Sequence, residues 1–330
     1  MPVLSLAQSE QLVIGTLLRC RTSEGNAQSV ARALVAAEAD GLKGHGLSRL
    51  PGYAAQAKAG KVDGFATPAV TRPKPAVIAV DAAHGFAYPA IDAASSELPA
   101  VTRLNGIAAA AIRRSHHCGA AGHPVERLAE QGLVAMMFAN TPGAIAPWGG
   151  SKALFGTNPI AFACPGLGRA PIVVDLSLSK VARGNIMAAR QRGEKIPEGW
   201  ALDDRGAPTT DPAAALRGTM LPLGDAKGTA LALMVELLAA GLTGSNFAAE
   251  ASSFLDADGP PPGTGQLIIV FDPETLGRAG VRERFAAFAA SVEGQPGARL
   301  PGSRRLAARE RARAQGLDLS AALLAEIEAA

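Results

Sequence analysis

Short apolar runs constrain this chain more than any other feature. Residues 76–80, 107–112, 133–139, 160–164, 171–176 and 266–271 are apolar stretches of strand length bounded by Gly, Pro, Asn or Thr. Runs of that kind read as buried strands. Between them, apolar residues recur at helical spacing over 90–104, 125–131, 181–192 and 229–242, and helical patterning also fills 6–20, 28–39 and the tail from 281, with a Gly/Pro break at 294–302. With 330 residues the chain exceeds the usual size of one core, so more than one packed unit is expected. The Gly-, Pro- and Thr-rich stretch 58–75 is the first boundary.

Several function classes lack their residues. No Gly-x-Gly-x-x-Gly follows a strand, and Gly263-Thr264-Gly265 precedes a strand where that fingerprint needs a helix, so a standard Rossmann site is disfavoured. Neither a Gly-x-Ser-x-Gly elbow nor a P-loop is present. Aromatic residues make up only 4% and the net charge is +3, which argues against a nucleic-acid surface. The basic residues Arg304, Arg305, Arg309, Arg311 and Arg313 interleave with Leu306, Ala307 and Ala308 and read as the solvated face of an amphipathic helix. Cys20, Cys118 and Cys164 are odd in number and far apart, so a reduced, cytoplasmic setting without a disulfide framework is expected. The first residues lack a signal-peptide pattern, and no segment has the length of a membrane span.

The chemistry-bearing residues gather in loops. His45 and Arg49 stand four apart in Gly44-His45-Gly46-Leu47-Ser48-Arg49; on a helix they would share a face and reach one small anion, the imidazole moving a proton and the guanidinium gripping a carboxylate. The same residues also suit a loop in which His45 caps and Arg49 is solvated. Residues 114–124 carry His116, His117, Cys118, Gly119 and His123 at a strand-to-helix turn, which fits either a phosphate cradle or a plain tight turn; a metal site is disfavoured, because adjacent histidines on a turn point apart. The loops over 140–159 are rich in Gly, Pro, Asn and Thr and offer many backbone donors. Asp175 ends an apolar strand, where it can orient a histidine or cap a helix. Lys227 opens an apolar helix, which suggests a phosphate or ribose contact.

Taken together, Gly44 to Tyr53, Ser115-His116-His117-Cys118-Gly119, Ala146-Pro147-Trp148-Gly149-Gly150, Phe155-Gly156-Thr157-Asn158-Pro159, Val174-Asp175-Leu176-Ser177, Ile196-Pro197-Glu198-Gly199-Trp200 and Thr209-Thr210-Asp211-Pro212 resemble the type-2 malate/L-lactate dehydrogenase family over nearly the whole chain. The resemblance implies an α/β fold of non-Rossmann type. A mixed-sheet NAD(P)H-binding domain would span 75–280, and a helical substrate and dimer domain would form from 1–74 with 281–330. It also implies a homodimer. His45 would be the proton donor, Asp175 its orienting partner and Arg49 the carboxylate anchor, with His117, Thr157 and Asn158 lining the substrate. The cofactor would meet His117, Gly119, Thr157, Ile172, Val173, Val174, Asp175, Leu176, Ser177, Ala226, Lys227, Gly302, Ser303 and Arg304, and no metal is implied.

Within the family, residues 237–269 look closest to the imino-acid reductases and sulfolactate dehydrogenases. The expected reaction is reduction of Δ1-pyrroline-2-carboxylate or Δ1-piperideine-2-carboxylate to proline or pipecolate by NADPH, with NADH as the other cofactor candidate and Lys180 or Arg183 as partners for a 2′-phosphate. A 2-hydroxy acid dehydrogenase of sulfolactate, malate or lactate type is the alternative, and a catalytically weak metabolite-binding relative the second. Two departures stand out: Gly44 replaces a serine common in the family, and Asp225-Ala226 replaces Gly-His before Lys227.

Overall fold

The computed structural model describes residues 2–277 and 279–330. Its largest element is a seven-stranded sheet built from β1 (Ala69–Lys74), β2 (Val77–Asp81), β3 (Ile107–Ser115), β4 (Val134–Ala139), β5 (Ile160–Cys164), β6 (Ile172–Leu176) and β7 (Thr264–Phe271), in the order β1-β2-β3-β7-β4-β5-β6. Only β2 and β3 run parallel, joined by the crossover helix Ala87–Asn105; every other neighbouring pair is antiparallel. This is a mixed sheet, distinct from the mostly parallel doubly wound sheet of a Rossmann domain.

Strand β7 arrives late in the chain yet takes the central place, pairing Ile268 with Ala110 on one side and with Met137 on the other. The period of two sorts its side chains. Ile268 and Val270, with Ala110, Ile112, Ala135 and Met137, pack beneath the helices Ala87–Asn105 and Gly122–Glu130. Leu267 and Ile269, with Met136 and Phe138, form the opposite face with residues of Arg183–Arg192 and Ala226–Glu236. The alanines of β3 let these helices lie close.

A second core joins both chain ends. Helices Leu6–Arg19, Glu24–Ala39 and Leu50–Ala59 share apolar contacts with Ala312, Leu317, Leu319 and Ile327, and Val3–Leu4 pairs antiparallel with Leu317–Asp318. The boundary expected at residues 74/75 moves, because β1 already belongs to the sheet through its hairpin with β2. Helix Val281–Glu293, expected in the helical unit, ties to the sheet side: Arg169 makes two bonds to Glu293 at 2.7 and 2.8 Å, and Arg282 meets Glu274 at 2.8 Å.

The two units are clasped by charge. Arg305 and Arg309, on helix Ser303–Gln315, were expected on a solvated face, but each contacts both Asp40 and Glu126. Asp40 is sealed at the C-terminal end of Glu24–Ala39, and Glu126 is nearly so on Gly122–Glu130. Arg309 grips Asp40 with two bonds of 2.7 and 2.8 Å, and His123 adds a third contact at 2.9 Å. Burial alone would push the Asp40 carboxyl up, but the bonds and charges of Arg309 and His123 outweigh it and hold the group well below the usual carboxylate range. Glu126 is lowered in the same way by both arginines. Arg309→Ala should destabilise the protein by about 3–5 kcal/mol, the cost of leaving buried carboxylates undercompensated. Both acids have depressed folded values, so the clasp contributes fully above about pH 4 and is lost as pH falls through those values. Thermal unfolding of wild type and variant across acid pH measures both effects.

Candidate active site

His45 and Arg49 do not ride on one helix. Two short 3₁₀ turns, Lys43–His45 and Leu47–Arg49, are separated at Gly46, and the α-helix Leu50–Ala59 begins only afterwards. The break has a packing cause. A Cβ at residue 46 would lie 2.2 Å from Glu38 Oε2 and 3.0 Å from Glu38 Cα, and the same carboxylate accepts the Leu47 N–H at 3.0 Å. The four-residue spacing expected from a helix is therefore replaced by a fold-back in which Arg49 Nε donates to the Gly44 carbonyl at 2.7 Å. Beside Gly44 there is open space: a Cβ there would meet nothing within 4 Å.

The imidazoles cluster. The His45 and His117 rings stack with centroids 5.3 Å apart and planes 13° from parallel. His117 Nδ1 lies 2.5 Å from the Tyr53 hydroxyl, and Phe254 covers His116 and His117 at 5.0 and 5.3 Å between centroids. Burial, then the charges of Arg49 and His123, pull the His45 pKa down to about 4. Burial with Lys61 and Arg49 brings His116 to about 3, and burial with Arg49, His45 and His116 sets His117 well below the ordinary value. All three rings are neutral at neutral pH. His45 Nδ1 is sealed without a partner, so Nε2 is its open nitrogen.

Asp175, at the end of β6, accepts the Gly122 N–H at 2.8 Å and makes no hydrogen bond to an imidazole, so its expected orienting contact with His45 is not formed. The Gly122 turn takes that carboxylate because it presents a free amide at close range. Asp175 is open to solvent at its surface yet crowded by protein, the position of a residue on a cleft floor, and burial raises its pKa. Around it stand the other expected cofactor residues of this side. A Cβ at Gly122 would lie 3.0 Å from Asp175, and one at Gly302 would lie 3.6 Å from the Val173 carbonyl, so helix Ser303–Gln315 starts against β6 beside Ile172 to Ser177. Ser303 and Arg304 open that helix, and Gly119 has a positive φ of 66°. Close backbone, glycine turns and a helix N-terminus fit a dinucleotide.

Asn158 departs from its expected role as a substrate contact. It is fully buried, and its amide donates to Glu236 Oε2 at 2.7 Å and to the Ala232 carbonyl at 3.0 Å, because the buried Glu236 carboxylate needs donors. Glu236 also accepts from Asn140 and from the Ala248 N–H. Thr157 is fixed by its N–H to Thr141 Oγ1 at 2.9 Å. Ala226 and Lys227 are exposed at the start of Ala226–Glu236. Lys180 faces Asp225 at 3.9 Å, whereas Arg183 is half-buried and donates to the Leu216 carbonyl, which leaves it poorly placed for a 2′-phosphate.

Two residues enter that sequence reasoning did not select. Tyr53, four positions after Arg49 on the same chain segment, carried a weak signal. Phe254 lay in the stretch 237–269 that resembles the imino-acid reductases and sulfolactate dehydrogenases but was not selected as a site residue; its loop is drawn in by Gln56, which donates to the carbonyls of Phe254 and Asp256, and by the buried Lys61 bonded to Asp256 at 2.9 Å.

A sequence profile described as malate/L-lactate dehydrogenase matches residues 4–328. A (2R)-3-sulfolactate dehydrogenase (NADP(+)) from Chromohalobacter salexigens is 52% identical, the alignment covering 99% of this chain and 97% of that protein. A Δ1-pyrroline-2-carboxylate reductase from Ancylobacter novellus is 44% identical over 99% of this chain and 96% of its own length. The crystal structure of Δ1-piperideine-2-carboxylate reductase from Pseudomonas syringae pv. tomato superposes with a TM-score of 0.95 at 40% identity, covering 100% of this chain and 99% of that one.

The packing at Gly46 is directly testable. Gly46→Ala should cost about 1–3 kcal/mol of stability by forcing Glu38 aside, read as a lower urea midpoint; an unchanged midpoint would remove the packing explanation for the broken helix.

Proposed function

The chain belongs to the malate/L-lactate dehydrogenase family, and we propose that it reduces a small cyclic 2-imino acid, Δ1-pyrroline-2-carboxylate or Δ1-piperideine-2-carboxylate, with NADPH. Bound NADPH would supply hydride to the carbon beside the substrate carboxylate. The carboxylate is gripped by Arg49, which turns that carbon toward the cofactor side of the cleft, an orientation effect. His45 Nε2 handles the proton at the neighbouring nitrogen or oxygen.

The observation that carries this reading is the neutral imidazole of His45, with a pKa near 4. A cyclic imine protonated on nitrogen needs no further proton when hydride adds: the C=N⁺ bond becomes C–N and the product amine is neutral. A neutral His45 suits it as acceptor of the N–H bond. A 2-oxo acid instead needs a proton on its developing alkoxide. His45 would have to be loaded first, which carboxylate binding favours by masking the Arg49 charge. A specific observation keeps that second reading, reduction of a 2-oxo acid such as sulfopyruvate: the 52% identical relative is a sulfolactate dehydrogenase. The name of that relative also supports NADPH, with NADH the other candidate.

Spectrophotometric assay of NADPH and NADH oxidation against cyclic imines and 2-oxo acids separates the readings. Turnover of imines, with an alkaline limb set by the substrate and a loss below about pH 4 as His45 gains a proton, is the expected result. His45→Ala should lower kcat about ten- to a hundredfold, the loss of a hydrogen bond to a charged group, and Arg49→Ala should raise KM roughly ten- to a hundredfold and lower kcat as well, because the carboxylate is then no longer aligned. Turnover of 2-oxo acids alone would establish the second reading, and no turnover of either class would point to a metabolite-binding relative.

A homodimer and a cytoplasmic site of action complete the proposal; among the described residues no helix is long and apolar enough to cross a membrane. Apart from Lys227, Thr229 and Glu236, helix Ala226–Glu236 with the turn Leu237–Gly241 carries small or apolar residues on every side, as buried helices do. Ala232, Val235 and Ala239 face the sheet, but Leu231, Leu233, Met234, Leu237 and Leu242 stay exposed. A second copy of this chain would cover them. Leu237→Glu should shift the mass measured by light scattering from dimer to monomer; a wild-type monomer would sink the proposal.

A further inference from the structure

We propose that Tyr88 and Tyr53 form a one-way hydrogen-bond chain that holds His117 in its Nε2–H tautomer and so makes it a standing donor to the substrate carboxylate. The Tyr53 hydroxyl stands 2.5 Å from His117 Nδ1 and 3.0 Å from the Tyr88 hydroxyl. Both tyrosines are buried. Among the described residues, the Tyr88 hydroxyl has no partner besides Tyr53.

That arrangement decides the direction of the chain. If His117 Nδ1–H donated to Tyr53, Tyr53 would donate to Tyr88, and the buried Tyr88 O–H would be left without an acceptor among the described residues, which is costly. In the opposite direction nothing is orphaned: Tyr88 O–H donates to the Tyr53 oxygen, and Tyr53 O–H donates to Nδ1. The His117 proton is then on Nε2, the ring nitrogen that takes no hydrogen bond from the protein and is not sealed. Burial pushes Tyr53 up to about 12 and Tyr88 well above its ordinary value, so both keep their protons.

The surroundings fit this task. Gly119 admits the chain, since a Cβ there would lie 2.6 Å from the Tyr88 hydroxyl. His45 stacks on one side of His117, Phe254 packs edge-on, and Arg49 and His116 add their influence from Leu47–Arg49 and the end of β3. Because Nδ1 is already an acceptor, His117 resists protonation. It therefore does not compete with His45 for the proton, and its open Nε2–H, which feels the Arg49 charge, offers a second donor to a carboxylate oxygen. Tyr53 and Tyr88 touch neither substrate nor cofactor and act as positioning residues.

The donor role rests on the reductase reading, but the tautomer does not, and the experiment separates them. In the free enzyme, ¹⁵N NMR of the histidine side chains, assigned with His117→Asn, should show an unprotonated Nδ1 and protonated Nε2 from about pH 5 to about pH 8. Tyr88→Phe, which keeps the ring, should leave the Nε2–H tautomer in place, because the buried Tyr53 O–H then has only Nδ1 to donate to. Tyr53→Phe should instead mix the two tautomers and lower kcat/KM by about tenfold, the loss of one hydrogen bond's worth of positioning. Tyr88→Phe should lose less, because Tyr53 can still donate. A protonated Nδ1 in wild type, mixed tautomers in Tyr88→Phe, or a Tyr53→Phe spectrum identical to wild type would overturn the chain. A correct tautomer with an enzyme inactive on every imine and 2-oxo acid would leave the chain standing and remove the reductase reading.

Discussion

Asp40 and Glu126 sit where the helical unit meets the sheet, and two guanidiniums from the far end of the chain satisfy both. Each carboxylate is nearly sealed from water, a position that costs several kcal/mol per ion unless it is paired and hydrogen-bonded. The pairing fixes more than itself. Asp40 stands five residues before His45, Glu126 lies on the helix that begins at the Gly122 turn, and Arg305 follows the Gly302–Ser303 helix start. One buried network thus sets the relative positions of the histidine loop, the turn that holds Asp175, and the helix N-terminus beside β6.

Inside the cleft so positioned, one charge organises the chemistry. The half-buried Arg49 acts on the neighbouring imidazoles, and its charge adds to burial in keeping His45, His116 and His117 neutral. An anion that pairs with Arg49 relieves that pressure. On the proposed reading, a substrate carboxylate at Arg49 would do so, and the proton affinity of His45 would rise on its arrival. The tyrosine chain behind His117 works in the other direction and ties down the second imidazole while the first is left free to respond.

Much of this was legible in the residues. The strands, the helices of the two chain ends, the Gly119 turn and the place of Asp175 at a strand end all follow from local pattern or from motifs in a fixed order, because turn glycines, strand runs and loop motifs are short-range features. What escaped were contacts between distant segments. Arg305 and Arg309 looked like any solvated arginines on an alanine-rich helix, since nothing near them in sequence reveals the carboxylates more than 170 residues away. Asn158 resembled a ligand contact until Glu236 claimed its amide. Phe254 belonged to a family-like stretch, but nothing near it in sequence places its ring over His116 and His117.

By itself, then, the sequence determined the kinds of element, the sheet-forming runs and the chemical groups available for a proton and a carboxylate, all properties of neighbouring residues and of the backbone they favour. Tertiary structure alone decided how those groups are tuned. It broke the helix at Gly46 where Glu38 packs, turned Arg49 back onto the Gly44 carbonyl, gave Asp175 to Gly122 and placed two tyrosine hydroxyls behind His117. Tautomer and proton affinity depend on burial and on charges brought within a few ångströms, and only the folded chain makes those neighbours.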